Sequence, residues 1–215
     1  MKTSRTTASG ILILAVSALA TLCAPTPARA GLLFFDDFES DLSQWTGKAG
    51  GAHHGQIVSD PVEADHAMNF TQLNASGDIF SSGAFSSSSQ KFRLSFDYLG
   101  DPSLGGVAGN LGGFIGRSLG LPAGHTWLAG TSGASGAAPI LADDGTWHHY
   151  SIDFMTSSSI HVMIEDFSGS RGVVGDAYFD NVRLESVPEP TTLMLFGMGL
   201  VAACVSKRSD AARRR

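Results

Sequence analysis

Cysteine is nearly missing from this chain of 215 residues, and neither of its two cysteines lies in the central region. Cys23 and Cys204 each fall inside an apolar segment near one end. A framework of disulfide bonds is therefore excluded for the central region. A domain there must be stabilised by the burial of a hydrophobic core, with or without a bound metal ion.

Basic residues are also scarce between Gly31 and Val187, where eighteen acidic residues stand against six basic ones, a net charge of −12. The remaining lysines and arginines all stand in the two terminal segments. Nucleic acid is excluded as a partner of this region, because phosphates require Lys and Arg. The charge suits a solvated exported protein, or one that holds a cation between acidic side chains.

Residues 1–30 predict a secretory signal peptide. Two basic residues occur among the first five, and an apolar run covers residues 10–23. Small residues at Ala28 and Ala30 fit the site that signal peptidase cleaves, so cleavage is predicted after Ala30. The alternative is a buried helix or a membrane anchor, although the run is shorter than the ~20 residues that span a bilayer.

The end of the chain, residues 187–215, divides into three segments. The motif Val187-Pro188-Glu189-Pro190 cannot comfortably extend a strand or a helix, because proline lacks an N–H and restricts the residue before it. Residues 191–206 are apolar and predict a single membrane helix ~24 Å long, a little short of a ~30 Å hydrocarbon core. The basic tail, residues 207–215, prefers the cytoplasmic side, which leaves the acidic region outside.

This arrangement resembles the PEP-CTERM sorting signal of Gram-negative bacteria. The resemblance implies that Pro188, Glu189 and Pro190 are recognised by exosortase, a transpeptidase-like cysteine protease of the inner membrane. The enzyme would cut near the motif and release or transfer the protein to the cell surface or beyond. Proteins with this signal are associated with exopolysaccharide and biofilm production. The alternative is a plain C-terminal membrane anchor.

Residues 31–186 predict one all-β domain, a β-sandwich or jelly roll. Apolar and polar residues alternate with a period of two, and no long stretch has the 3.6-residue period of a helix. Short strands with one apolar face each need a second sheet that buries this face. The glycine-rich residues 100–136 are too many for one loop and are expected to hold one or two short strands.

The order of several short motifs resembles a family 4/9-type carbohydrate-binding jelly roll. Phe35-Asp36-Asp37-Phe38-Glu39 looks like its opening strand, and Lys91–Leu99 and Tyr178–Leu184 look like later ones. The stretch Asp144-Gly145-Thr146-Trp147-His148-His149 also resembles laminin-G or concanavalin-like sandwiches. Both resemblances imply binding of an extracellular polysaccharide, which fold likeness alone does not establish.

Asp180 is the acidic residue that the strand pattern makes most informative. It alternates in step with Tyr178, Val182 and Leu184, so its carboxylate is expected to point toward the core, where an unpaired charge is costly. In the modules that the domain resembles, the first and last strands hold a structural calcium ion. The resemblance implies Asp37, Glu39 and Asp180 as ligands. The alternative is a hydrogen bond from a loop to Asp180 or an ion pair with Arg.

The tryptophans and histidines give further hypotheses about sites. Trp127, in the glycine-rich stretch, is the candidate for a sugar contact, because sugar-binding grooves stack aromatic faces on pyranose rings. Trp45 and Trp147 are expected inside the sandwich. His148 and His149 are adjacent on a strand and point to opposite faces, so they do not bind one metal ion together.

Catalysis has little support in the sequence. No His-Glu-x-x-His or phosphate-binding glycine loop occurs, and the central region lacks a cysteine nucleophile. The favoured hypothesis is a non-catalytic, exosortase-sorted surface or extracellular-matrix protein with a carbohydrate-binding sandwich. A structural or adhesive protein without a sugar site is the alternative, and a glycoside hydrolase is a third. The adhesive alternative predicts that no open aromatic groove exists, and the hydrolase predicts paired carboxylates in one.

Overall fold

Two antiparallel sheets make up the domain in a computed structural model, which describes residues 30–132 and 136–188. Ala30–Pro188 form one compact unit. The first sheet contains β1 (Gly31–Asp36), β3 (Gly55–Ser59), β4 (His66–Phe70), β6 (Lys91–Gly100), β9 (His148–Met155) and β11 (Ala177–Ser186). The second sheet contains β2 (Trp45–Thr46), β5 (Ile79–Ser81), β7 (Gly113–Ser118), β8 (Thr126–Gly130) and β10 (His161–Asp166).

Neighbouring strands in each sheet often come from distant parts of the chain, as in a jelly roll. The first sheet has the order β3-β4-β11-β6-β9, and β1 also pairs with β11. The second sheet has the order β2-β5-β10-β7-β8. The all-β sandwich predicted from the sequence is thus confirmed, and β7 and β8 are the strands expected in the glycine-rich stretch.

Helical structure in the described residues consists of two short 3-10 turns, Lys48–Gly50 and Pro102–Leu104. In this part of the chain no helix has the length and hydropathy that a bilayer crossing needs. The predicted signal helix up to Arg29 and the predicted membrane helix over residues 191–206 lie outside the described residues.

The core between the sheets follows the alternation in β6. Phe92, Leu94, Phe96 and Tyr98 are fully or almost fully buried, while the residues between them are more exposed. Across the strand pair, Phe92 stacks on Phe154 of β9 with ring centroids 5.4 Å apart. Each such side chain contributes about 1.5–3 kcal/mol by leaving water. This burial replaces the disulfide bonds that the domain lacks.

A β-bulge in β11 breaks the alternation on which the orientation of Asp180 was predicted. Asp180 pairs with Asp97 and Arg183 with Ser95, so β11 has one more residue than β6 over this interval. The extra residue is Asn181, which takes a left-handed conformation with φ of 50°. Asp97 lies between the core-facing Phe96 and Tyr98, so Asp97 and its partner Asp180 lie on the opposite face. The expectation that Asp180 points into the core is therefore wrong.

The second sheet also carries a hydrophobic cluster of its own. Phe80, Phe114, Trp127, Ala137 and Met163 are buried together, with Leu121 and Phe167 packed against them. Phe114 and Ile115 are adjacent in β7, so their side chains point to opposite faces, and Ile115 belongs to the main core. The face of the second sheet that points away from the main core is therefore covered rather than open along these side chains.

Candidate functional site

The two predicted processing sites leave the domain from one corner of the first sheet. Gly31, directly after the predicted cleavage point at Ala30, pairs with Ser186 near the end of β11. The Gly31 N–H donates to the Ser186 hydroxyl oxygen at 3.2 Å. Ala30 is exposed and Pro188 is half-buried, so both lie at the surface. Ala28, Glu189 and Pro190 lie outside the described residues.

An acidic surface group forms where the loop after β1 meets the start of β4. Glu39, Asp65 and His66 each offer a ligand atom, and these atoms lie within 4.8 Å of one another. One Glu39 oxygen accepts the backbone N–H of His66 at 3.0 Å, and the other lies 3.3 Å from the His66 Nδ1. All three residues are exposed. We call these residues the Glu39 group.

Asp180 lies beside the Glu39 group but has hydrogen-bond donors of its own. It is only 8% exposed, and its two carboxylate oxygens accept the backbone N–H and the side-chain amide of Asn181 at 2.6 and 2.9 Å. Burial, together with the charges of Asp65, Asp97 and Glu39, raises the pKa of Asp180 to about 7. A cation held by Glu39 and Asp65 would therefore also favour the ionised form of Asp180.

The carboxylates present fit a hard cation, although in a different set from the predicted one. Of the predicted ligands, Glu39 belongs to the Glu39 group, and its charge raises the pKa of Asp180. Asp37 is exposed, and one of its oxygens accepts the Glu39 N–H at 3.4 Å. Sequence reasoning missed Asp65, because the residue stands in the hairpin loop between β3 and β4 and no local spacing connects it to Glu39. The donor set of carboxylates suits calcium better than a soft metal.

Trp127 does not occupy the place predicted for a sugar contact. Its side chain is 7% exposed and packs edge-on against Phe114 with ring centroids 5.6 Å apart. A ring enclosed in this way has no free face to stack on a pyranose. Trp45 is buried as expected, and its indole N–H donates to the buried carboxylate of Asp36 at 2.7 Å.

Trp147 is the tryptophan that reaches the surface, contrary to its expected place inside the sandwich. It is half-buried and directly precedes β9, one edge strand of the first sheet. Its indole N–H donates to the Asp60 carboxylate at 2.7 Å, and Asp60 directly follows β3, the opposite edge strand. The two side chains therefore meet over the face of the first sheet that points away from the core. We call this the outer face.

Tyr178 lies between these two edges on the same outer face. Tyr178 and Asp180 are two residues apart and both precede the bulge, so their side chains point to the same face. Tyr178 pairs with Leu99 of β6. Burial raises the pKa of the half-buried Tyr178 phenol, and the charges of Asp101, Asp176 and Asp60 add to the effect. The Asp60 carboxylate thus bonds the Trp147 indole and acts electrostatically on Tyr178. The outer face combines two half-buried aromatic residues with acidic groups around them.

Polar side chains continue along the outer face toward the Glu39 group. The Asp97 carboxylate lies 2.7 Å from the Nδ1 of His149 and accepts the Asn181 amide at 2.9 Å. His149 is largely exposed, whereas His148 is turned toward the Asp144 carboxylate at 3.0 Å. The two adjacent histidines thus have separate partners, as their alternation predicts.

Comparison with known proteins identifies the C-terminal signal. Residues 186–209 match the PEP-CTERM protein-sorting motif, which confirms the sequence prediction and indicates export and surface sorting by exosortase. No curated protein matches the chain.

Solved structures similar to the domain include carbohydrate-binding modules and an adhesin domain. The CBM22-1 xylan-binding domain of Xyn10C from Paenibacillus barcinonensis is 15% identical, with 76% of this chain and 99% of that chain covered and a TM-score of 0.48. The C-terminal family 22 module of Xyn10B from Clostridium thermocellum is 12% identical, covers 75% and 97%, and has a TM-score of 0.47. A cleaved adhesin domain of Lys-gingipain from Porphyromonas gingivalis is 12% identical, covers 72% and 98%, and has a TM-score of 0.46.

Proposed function

We propose that this chain is an exosortase-sorted protein of the cell surface or extracellular matrix whose sandwich binds polysaccharide without cleaving it. The observation that carries the proposal is the outer face of the first sheet, where the Asp60 carboxylate bonds the indole of half-buried Trp147 and acts electrostatically on half-buried Tyr178. Sugar sites combine flat aromatic surface with a few polar groups that orient hydroxyls. Fixed on a rigid sheet, these side chains need little reordering to bind a chain of sugars.

The absence of catalysis is part of the proposal. Asp97 and Asp180, two carboxylates of this face, both accept the side-chain amide of Asn181. Asp97 also contacts His149. A glycosidase needs one carboxyl group free to give up a proton and another free to attack or to activate water. Because Asp97 and Asp180 are both engaged in hydrogen bonds to neighbouring side chains, we propose that neither acts as a catalytic acid or nucleophile.

Processing brings the domain outside the cell in the proposed sequence of events. Signal peptidase cleaves after Ala30, and the segment over residues 191–206 holds the protein in the inner membrane until exosortase cuts near Pro190. Since Ala30 and Pro188 leave the domain from the same corner, both cuts fall near one place on its surface. The released domain then sits in the extracellular polysaccharide that such cells produce.

The predicted calcium ion also becomes a proposal, with altered ligands. We infer that Glu39 and Asp65 hold it at the surface, with Asp180 beside them. Mutation of both ligands, E39Q/D65N, should weaken calcium binding at this position while leaving the buried core intact, because both side chains are exposed. Calorimetric titration with calcium chloride measures the change.

A structural or adhesive protein without a sugar site is the second candidate. It is favoured by the burial of Trp45, Trp127 and Phe114, which leaves the second sheet without an open aromatic groove along these residues. Binding of the purified domain, residues 30–188, to an array of polysaccharides separates the two. Retention of a defined polysaccharide, with no new reducing ends released, supports the first proposal. A folded domain that binds none of them supports the adhesive one.

A further inference from the structure

Two fully buried carboxylates are linked through Gly175, which donates its N–H to Asp166 and directly precedes Asp176. Asp166 ends β10 and Asp176 directly precedes β11, and both side chains are 0% exposed. Each uses one oxygen as an acceptor: the Asp166 Oδ2 takes the Gly175 N–H at 3.0 Å, and the Asp176 Oδ2 takes the Val173 N–H at 2.7 Å. Among the described residues, neither Oδ1 atom has a hydrogen-bond partner.

The charges around these two carboxylates make their burial unfavourable. Burial, together with the charges of Asp176, Asp78 and Glu165, raises the pKa of Asp166 to about 8. Burial also raises the pKa of Asp176 to about 7, with Asp143 and Asp101 adding to the rise. Like charges gathered in a low-dielectric interior require either protons or a counterion.

Glycine backbone packs closely against both carboxylates and leaves no room for a side chain between them. A Cβ atom added to Gly112 would lie 2.8 Å from the Asp166 Oδ1 and 2.6 Å from the Ser170 Oγ. A Cβ atom added to Gly172 would lie 2.7 Å from the Asp176 Oδ2. Backbone with no side chains therefore borders the carboxylates, and backbone carbonyls are ligands that calcium accepts readily.

We propose that Asp166 and Asp176 bind a divalent cation, namely calcium, inside the domain. The polar side chains at this place, including Ser170, offer oxygen atoms, which favours a hard cation over zinc or copper. Calcium fits a dehydrated site of carboxylate, hydroxyl and carbonyl oxygens better than magnesium, which keeps several waters. A chain sorted to the cell surface also folds where calcium is available.

The charge of a lysine acts on the neighbouring pair of buried acids, Asp78 and Glu165. Asp78 and Glu165 also have an oxygen without a hydrogen-bond partner among the described residues. The charge of Lys48, however, lowers the pKa of both. The Lys48 ammonium group donates to the Asn74 side chain at 3.1 Å, which fixes it near this pair. Asp78 is no independent control, because its Oδ2 accepts the Asp166 N–H at 2.8 Å. The matched control is Asp36, a buried acid whose oxygens accept the Phe38 N–H and the Trp45 indole N–H.

Calcium content after refolding tests the proposal, because a buried ion enters as the domain folds. The reference protein is the domain over residues 30–188 with E39Q/D65N, which removes the exposed Glu39 group. It is refolded from urea in calcium chloride or in EDTA, freed of excess metal by gel filtration and analysed for bound calcium. We expect it to retain one calcium ion per chain and to melt at a higher temperature than the form refolded in EDTA.

The variants locate the ion. D166N and D176N, each added to the reference protein, should retain no calcium and melt at the same temperature in both conditions, whereas D36N should retain the ion. A reference protein without bound calcium would overturn the proposal, as would D166N and D176N proteins that keep it. If D166N does not refold, the calcium content of D176N decides in the same way. The result is independent of polysaccharide binding, which the proposal does not require.

Discussion

Tyr98 shows how a single buried hydroxyl group connects the core to the loops. Its phenol donates to the Asp143 Oδ1 at 2.8 Å, and the Asp143 Oδ2 accepts the Leu111 N–H at 3.0 Å. Burial raises the pKa of Tyr98 well above its usual value, and the Asp143 charge adds to the rise. The hydrogen bond satisfies two groups that would otherwise be buried without partners.

Alkaline titration should therefore separate Tyr98 from the other tyrosines. The folded-state pKa of Tyr98 lies above the unfolded one near 10, so its contribution to stability is present below about pH 10 and is lost as the pH rises further. We expect tyrosinate absorbance to report Tyr98 only when the domain unfolds, and Y98F to remove that step. Ionisation of all three tyrosines in a domain that is still folded would contradict this.

The buried hydrogen bond between Trp45 and Asp36 leads to a second prediction about a single residue. Replacement of Trp45 by Phe leaves the Asp36 Oδ2 with only a distant Gln44 amide at 3.4 Å. An inadequately paired buried carboxylate costs about 1–3 kcal/mol. Urea unfolding should show this loss in the free energy of unfolding for W45F. A smaller loss is expected for W147F, since Trp147 is half-buried and Asp60 keeps access to water. Equal losses in the two variants would refute the argument.

Trp127 was predicted at a binding surface and Trp147 inside the sandwich, but the structure buries Trp127 and leaves Trp147 at the surface. Trp127 was predicted as a sugar contact because glycines surround it. In the fold these glycines make room for aromatic rings: a Cβ atom on Gly130 would lie 2.3 Å from the Phe114 ring. Trp147 bonds to Asp60 across the whole sheet. Such a contact depends on strand order, which local sequence patterns do not contain.

Strand β11 carries the main error at the level of elements. The alternation in β6 predicted its buried residues correctly, because that strand is regular. In β11 the same reasoning was right for Val182 and Leu184, which lie in the core, but wrong for Tyr178 and Asp180, since the bulge at Asn181 shifts the parity of the residues before it relative to those after it. Asparagine tolerates the left-handed conformation of a bulge, but it is also common in turns and loops. The sequence alone therefore did not place the bulge.

Two variants of Asn181 separate backbone strain from side-chain bonding. N181G should keep the left-handed conformation at little cost but lose the amide that donates to Asp97 and Asp180. N181V loses the same amide and adds the strain of a β-branched residue at positive φ, about 1–3 kcal/mol more. Urea unfolding of both variants measures the difference. If the two lose the same stability, Asn181 is not strained in the folded domain.

The whole molecule consists of a folded domain and a C-terminal sorting signal, and each part can be tested separately. Replacement of Pro188, Glu189 and Pro190 by alanine should leave the domain folded, because its described hydrophobic core ends at Leu184. The same replacement should stop exosortase processing, so that the protein stays in the membrane fraction of its producing cells. Cell fractionation with an antibody against the domain measures this. Normal release of the variant would show that the motif is not what the enzyme recognises.

The claim that the domain binds polysaccharide through its outer face depends most directly on Trp147. The affinity of residues 30–188 for the polysaccharide that they retain on an array should be measured for the wild type, W147A and W127F. Loss of an aromatic anchor costs about 2 kcal/mol or more, so we predict at least a roughly 30-fold weaker affinity for W147A. W127F should bind like the wild type, because Trp127 is buried in the second sheet. A folded W147A domain that binds with unchanged affinity would contradict the account.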